Sequence, residues 1–192
     1  MKRFNAFYKS LDLEWLRDFC LQQGKPRRFQ RGEIFAHTGE SCRQIGLVTS
    51  GYFKFCVTGS SGNEAITGFS FTNEFAAPLV DYLCGLRSQT SIVAGSRSEL
   101  LVVPLEQFTD HFKKNPEIQL HDILIPLLTT SYSRYLDTFR YSPKERYLNL
   151  MKHSSSILND IRLQEIASYL RITPQYLSRL RREIINEGKN AL

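Results

Sequence analysis

What this 192-residue chain lacks already excludes several classes of protein. No apolar run approaches the roughly 20 residues of a membrane span. The opening "MKRFNAFYKSLDLEWLRDF" carries basic residues but no uninterrupted apolar stretch of the kind a secretory leader needs. A cytoplasmic protein with no membrane partner is expected. The cysteines, Cys20, Cys42, Cys56 and Cys84, are irregularly spaced with no CxxC pair, so neither a zinc site nor an iron–sulfur cluster is indicated and buried free thiols are expected. The histidines, His37, His111, His121 and His153, stand isolated along the chain without the paired spacing of a cupin metal site. No metal, no cofactor and no catalytic residue is therefore expected, and a cupin-like enzyme is a remote alternative.

What is present is an ordinary globular composition, 42% hydrophobic and 12% aromatic, with an uneven charge. The chain has 25 Lys+Arg against 19 Asp+Glu, net +6. From Arg140 to the end there are ten basic and five acidic residues, so +5 of that +6 lies in the last quarter. Such asymmetry points to a polyanion as the partner of the C-terminal part.

That part contains "LQEIASYLRITPQYLSRLRREI", two apolar helical stripes parted by a four-residue break at Arg171-Ile172-Thr173-Pro174. At about 100° per residue, Leu177, Leu180 and Ile184 share one face of the second helix. Gln175, Arg179, Arg182 and Asn186 fall almost opposite. Thr173 is a good N-cap and Pro174 suits the first helical turn, where its missing N–H costs nothing. Steeply crossed helices with a short break make a helix-turn-helix, whose second helix enters the DNA major groove. An ordinary helical hairpin with a solvated basic face is the blander reading of the same pattern.

Upstream, Leu11, Trp15, Leu16, Phe19 and Cys20 recur at helical spacing, with Gly24 as a C-cap before Pro26. From Arg27 to Pro104 the pattern changes to short runs rich in Val, Ile, Phe and Thr, "RRFQ", "EIFAH", "QIGLV", "YFKFCV", "EAITGFSF", "TSIVAG" and "ELLVV", punctuated by Gly32, Gly39, Ser50-Gly51 and "TGSSGN". These are hairpins of an antiparallel β-roll or jelly roll. "EFAAPLVDYLCGL" interrupts them with a short helix-like segment where a small roll would place a ligand.

Helical spacing returns after Pro104, with Phe108 and Phe112 four apart. A long helix over Pro116 to Tyr141 follows, carrying Leu120, Ile123, Leu124, Leu127, Leu128, Tyr132, Tyr135 and Phe139 on a broad stripe. Pro126 should kink or break it. The stripe fits a subunit interface about as well as core packing. "SPKE", Ser142 to Glu145, is a capping box with proline at the first helical position and opens a new domain. The fold class expected is α+β, in three parts: a sensor-like β-roll at 1–115, a long dimerisation helix at 116–141 and a helix-turn-helix domain at 142–192.

In this order the parts resemble the bacterial Crp/Fnr family, the cyclic-AMP receptor and fumarate-nitrate regulators, over essentially the whole chain. The residues that carry the resemblance are "RGEIFAHTGE", "LVTSGYFKF", "NEF", "SIVAGSRSELLVVP", "ERYLNLM" and "LQEIASYLRITPQYLSRLRREI". It implies a homodimer joined through the long helix, with double-stranded DNA as partner at a palindromic site and RNA polymerase as a further candidate partner. The family's base-contacting positions fall on Pro174, Gln175, Ser178 and Arg179. Arginine can pair bidentately with guanine and glutamine with adenine, whereas proline has no side-chain donor for a base. Thr173 and Arg182 are placed for phosphates, and Tyr176 lies between the faces, to pack or to touch the backbone.

This chain departs from the family pattern at two places. Cyclic-AMP-binding members carry a Gly-Glu pair for the ribose and an Arg-Ser pair for the phosphate. Here Ala77-Pro78 stands in place of Gly-Glu, and Arg87-Ser88 is one residue out of register with the next strand. The effector expected is therefore a small molecule other than cyclic AMP held by Arg87 and Ser88, or none, with Arg87 a solvated loop residue and the roll serving only dimerisation or protein contacts. The C-terminal "NEGKNAL" is also short for the β-hairpin wing that usually follows the recognition helix.

Overall fold

The computed structural model describes residues 13–60, 62–115, 120–154 and 160–190. The chain divides into two compact units, and the division falls between Tyr132 and Ser133.

The first unit opens with α1 (Glu14–Gln23), which ends at Gly24. Gly24 accepts no left-handed turn, contrary to the usual glycine cap: its backbone is extended at φ −68°, ψ 135°. Glycine is required there for space, because a Cβ would strike the carbonyl of Cys20 and the side chain of Leu101. Eight strands follow: β1 (Lys25–Phe29), β2 (Ile34–Ala36), β3 (Gln44–Ser50), β4 (Tyr52–Thr58), β5 (Glu64–Phe71), β6 (Phe75–Ala76), β7 (Ser91–Ala94) and β8 (Ser98–Pro104). They form two four-stranded antiparallel sheets, ordered β1-β8-β3-β6 and β2-β7-β4-β5. At the β3–β4 turn Gly51 sits at φ +72°, a backbone conformation that costs an L side chain roughly 1–2 kcal/mol.

Period-2 alternation explains why "QIGLV" and "ELLVV" read as continuous apolar runs. On β8, Leu100 and Val102 face the partner sheet, joining Phe29, Phe35, Val48, Phe53 and Ile92 in the core between the sheets. Val103 of β8, with Ile45 and Leu47 of β3, faces the other way and packs on Leu16 and Cys20 of α1. Leu105 and Phe108 of α3 (Leu105–Lys114) complete that outer layer with Ile123. The inner core is strongly aromatic: Phe53, fully buried, meets the Phe29 ring edge-on at 5.3 Å and 86°, and Phe29 meets Phe35 at 6.0 Å and 87°. Among the thiols Cys20 and Cys56 are buried as expected, but Cys42 is only half-buried and Cys84 is exposed, because Cys84 closes a short surface helix rather than filling a strand.

The long helix, α4 (His121–Arg140), passes through Pro126 without a break. The ring removes one helical hydrogen bond, the one its N–H would have made to the carbonyl of Asp122 in the first turn. The expected start at Pro116 lies outside the described residues. In the second unit Ser142 caps α5 (Pro143–Ser154): its N–H donates to Glu145 Oε2 at 2.8 Å, and the Glu145 N–H donates back to Ser142 Oγ at 3.3 Å. This is the reciprocal capping box that "SPKE" spells. Next come α6 (Leu163–Tyr169) and α7 (Pro174–Asn190). Among the described residues no helix is long and apolar enough to cross a membrane, and no group of three or more His, Cys, Asp or Glu could hold a metal ion.

Candidate nucleic-acid interface

The break between α6 and α7 is four residues long, Leu170 to Thr173, one position earlier than the sequence reading puts it. Leu170 ends α6, and its N–H donates to the carbonyl of Ile166 at 2.9 Å. Arg171 then turns the chain at φ +57°, the left-handed region that glycine usually occupies at such a corner. The Ile172 N–H reaches back to the Ala167 carbonyl at 3.0 Å. Thr173 caps α7 as expected, its Oγ1 accepting the Tyr176 N–H at 3.2 Å, and Pro174 is the first helical residue.

The two faces of α7 separate as the periodicity requires. Leu177 and Leu180 are 0% and 2% exposed and lie in the apolar interior of this unit, where Ile166, Ala167, Leu170 and Tyr147 are also buried. Gln175, Arg179, Arg182 and Asn186 are exposed, Thr173 is exposed, and Pro174 and Ser178 are half-buried. The three arginines within four positions do different work. Arg181 Nε donates to the Tyr147 hydroxyl at 2.8 Å, with its guanidinium 5.6 Å from that ring's centroid, so it ties α7 to α5. Arg182 Nε bonds the Ser178 carbonyl at 3.4 Å along its own helix. Arg179 reaches outward with its guanidinium 5.6 Å from the centroid of the Tyr176 ring. Farther along, Lys144 grips both carboxylate oxygens of Glu187 at 2.6 and 2.9 Å, which holds its ammonium pKa above the usual lysine range.

The sequence-predicted effector residues sit at a loop closed on itself. Pro78 is buried and opens α2 (Leu79–Leu83), its carbonyl accepting the Tyr82 N–H at 3.0 Å. Arg87 is exposed and donates from Nη1 to the Gly39 carbonyl at 2.9 Å. Ser88 is 3% exposed, and its hydroxyl donates to the Thr90 carbonyl at 2.7 Å. Backbone bonds from Gly39 to Ser88 and from Ser88 to Glu40, 2.8 and 2.9 Å, fasten this loop to the turn after β2. Asp81 holds its far side through the Gln89 N–H at 3.0 Å. Arg87 and Ser88 are thus neighbours in sequence whose hydrogen bonds run to different partners, Gly39 and Thr90.

Two features of the sites escape a reading of the sequence. The Tyr176 ring beneath Arg179 is one. The other is Ile125, which together with Leu128, Tyr132, Tyr135 and Phe139 is 57, 50, 62, 56 and 73% exposed. These five recur at spacings of three, four, three and four along α4, the spacing that coiled-coil seams use.

An antiparallel β-roll with a short helix between its strands, a long helix and a capped helix-turn-helix define the class to which this chain belongs by fold. Residues 26–115 match the family model of the cyclic nucleotide-binding domain. No curated protein matches the chain. Among solved structures it is similar to FixK2 from Bradyrhizobium japonicum, at 14% identity over 86% of each chain with a TM-score of 0.72. It is also similar to CLP from Xanthomonas campestris, a regulator described as c-di-GMP responsive, at 15% identity over 92% of this chain and 93% of that one, TM-score 0.67. The catabolite activator protein of Thermus thermophilus follows at 18% identity over 95% and 87%, TM-score 0.51. The chain has the Crp/Fnr fold, with a β-roll of the cyclic nucleotide-binding type.

Proposed function

We propose that this chain is a sequence-specific DNA-binding transcription regulator of the Crp/Fnr type, acting as a homodimer on a palindromic site. The observation that carries the reading is α7: a capped helix whose buried Leu177 and Leu180 anchor it while Gln175 and Arg179 project from the opposite face. Arg179 and Gln175 read base edges, Ser178 and Pro174 lie against the groove, and Thr173 and Arg182 meet phosphates. The exposed three-four seam of α4 supports the dimer, since two such helices side by side would bury Leu128 and Phe139 against their counterparts. RNA polymerase belongs to the same reading as a protein partner. Selection of bound sequences from a random DNA pool tests it: a palindrome with half-sites about one helical turn apart is expected, and recovery of no preferred sequence would overturn it.

For the roll, two observations favour a regulator that does not respond to cyclic AMP. Arg87 already commits one N–H to the Gly39 carbonyl and Ser88 its hydroxyl proton to the Thr90 carbonyl, and the space between the sheets is filled by Phe29, Phe35 and Phe53. Pro78 offers neither carboxylate nor N–H to a ribose hydroxyl. The effector is a different small molecule, or the roll serves protein contacts alone. Calorimetric titration with cyclic AMP and c-di-GMP separates these readings, and micromolar cyclic AMP binding abolished by Arg87→Ala would restore the cyclic-nucleotide assignment.

A further inference from the structure

We infer that Tyr176 is the positioning residue for base readout, a rigid aromatic platform that holds the Arg179 guanidinium ready for its base. The inference rests on the DNA-reading role proposed for Arg179 and deepens it. An exposed arginine on a helix samples many rotamers, and each must be given up before a bidentate pair forms. Here the guanidinium lies 5.6 Å from the Tyr176 centroid, three residues back, on the same side of α7. This cation–π contact restricts the swing of the fork while Arg179 stays exposed.

The platform itself is fixed from below. Pro174 locks the backbone of the first helical residue, and Thr173 Oγ1 accepts the Tyr176 N–H at 3.2 Å, while the Thr173 carbonyl accepts the Leu177 N–H at 3.0 Å. Leu177, adjacent to Tyr176, is fully buried and anchors the turn on the unit's interior. Tyr176 as a residue is 37% exposed, so it is neither core filler nor freely solvated. This arrangement gives Pro174 a task at a position where it cannot read a base: it stiffens the turn from which the tyrosine projects.

The test compares affinity for the selected palindrome with affinity for a scrambled duplex, using the full chain. Tyr176→Ala is expected to lower discrimination about two- to fivefold per half-site, the strength of an exposed cation–π contact. Tyr176→Phe, which keeps the ring, is expected to restore it. Adding Tyr176→Ala to Arg179→Ala is expected to cost nothing further in discrimination, because the tyrosine acts through the arginine. Circular dichroism and melting temperature establish that each variant folds, and Tyr176→Leu serves if the alanine variant does not. Equal losses on both duplexes, failure of phenylalanine to rescue, or full additivity with Arg179→Ala would each overturn the positioning role. If Arg179→Ala alone leaves discrimination intact, the DNA-reading assignment of Arg179 fails instead, and the platform with it.

Discussion

Replacing Phe139 by alanine tests the seam of α4. Phe139 is 73% exposed and meets the Tyr135 ring edge-on at 5.2 Å and 73°. A phenylalanine side chain buries on the order of 200 Å² when fully enclosed, so about 150 Å² is available to a partner helix. In the proposed dimer, full enclosure of that surface would at about 25 cal/mol per Å² stabilise each subunit by up to about 3.8 kcal/mol, of which truncation to alanine would remove about 2–3. A symmetric dimer loses the contact twice. Dissociation should therefore become favourable by about 4–6 kcal/mol, at least a thousandfold in Kd. Sedimentation velocity across a concentration series reads this directly, with circular dichroism expected to stay unchanged because Phe139 lies outside the buried core of its unit. Wild-type protein that sediments as a monomer at micromolar concentration, or a Phe139→Ala variant with unchanged Kd, would show that α4 does not join two subunits through Phe139.

Further outcomes follow from local features. Arg171→Gly should stabilise the helix-turn-helix by about 0.5–1 kcal/mol in urea denaturation, since relief of the left-handed strain at φ +57° exceeds the added chain entropy; a destabilised variant would show that the corner is unstrained. The hydrogen bonds from Ser142 hold the Glu145 carboxyl below its ordinary 4.5. Its contribution is therefore complete above that value and is lost as pH falls through the lowered one, so Glu145→Gln should flatten the acid limb of the stability profile below about pH 4.5. A Glu145→Gln profile superimposable on wild type would contradict it. Native alkylation followed by mass spectrometry should label Cys84 first. Cys20, buried and with its thiol pushed up to about 12, should stay unlabelled until the protein unfolds, and labelling of Cys20 at the rate of Cys84 would be inconsistent with this fold.

Local chemistry was legible from the sequence, and chemistry between distant residues was not. Thr173-Pro174 and Ser142-Pro143 mark helix starts because a cap acts within three residues of itself, and both caps form. The alternation of the strands announced the roll, and the polar face of α7 was placed by periodicity alone. Arg181 could not be told from Arg179 and Arg182, because its partner Tyr147 lies 34 positions away on α5. Nor could the broad stripe of α4 be divided: Ile123 is covered by the layer that α1 and α3 build, while Ile125, one position beyond the stripe as read, belongs to the exposed seam. Pro126 does not interrupt α4, which runs on from His121 to Arg140. Ser88 was legible as a polar residue of the cassette, but its inward turn toward Thr90 was not.

If α7 reads DNA sequence, Arg179→Ala must act differently on matched and scrambled duplexes. A loss of about 1–3 kcal/mol on the matched site with relaxed preference at one base pair per half-site is expected, with little change on scrambled DNA. Arg182→Ala, measured beside it, should weaken both duplexes alike and lower the salt dependence. Equal losses for Arg179→Ala on matched and scrambled DNA would mean that α7 does not read bases through Arg179.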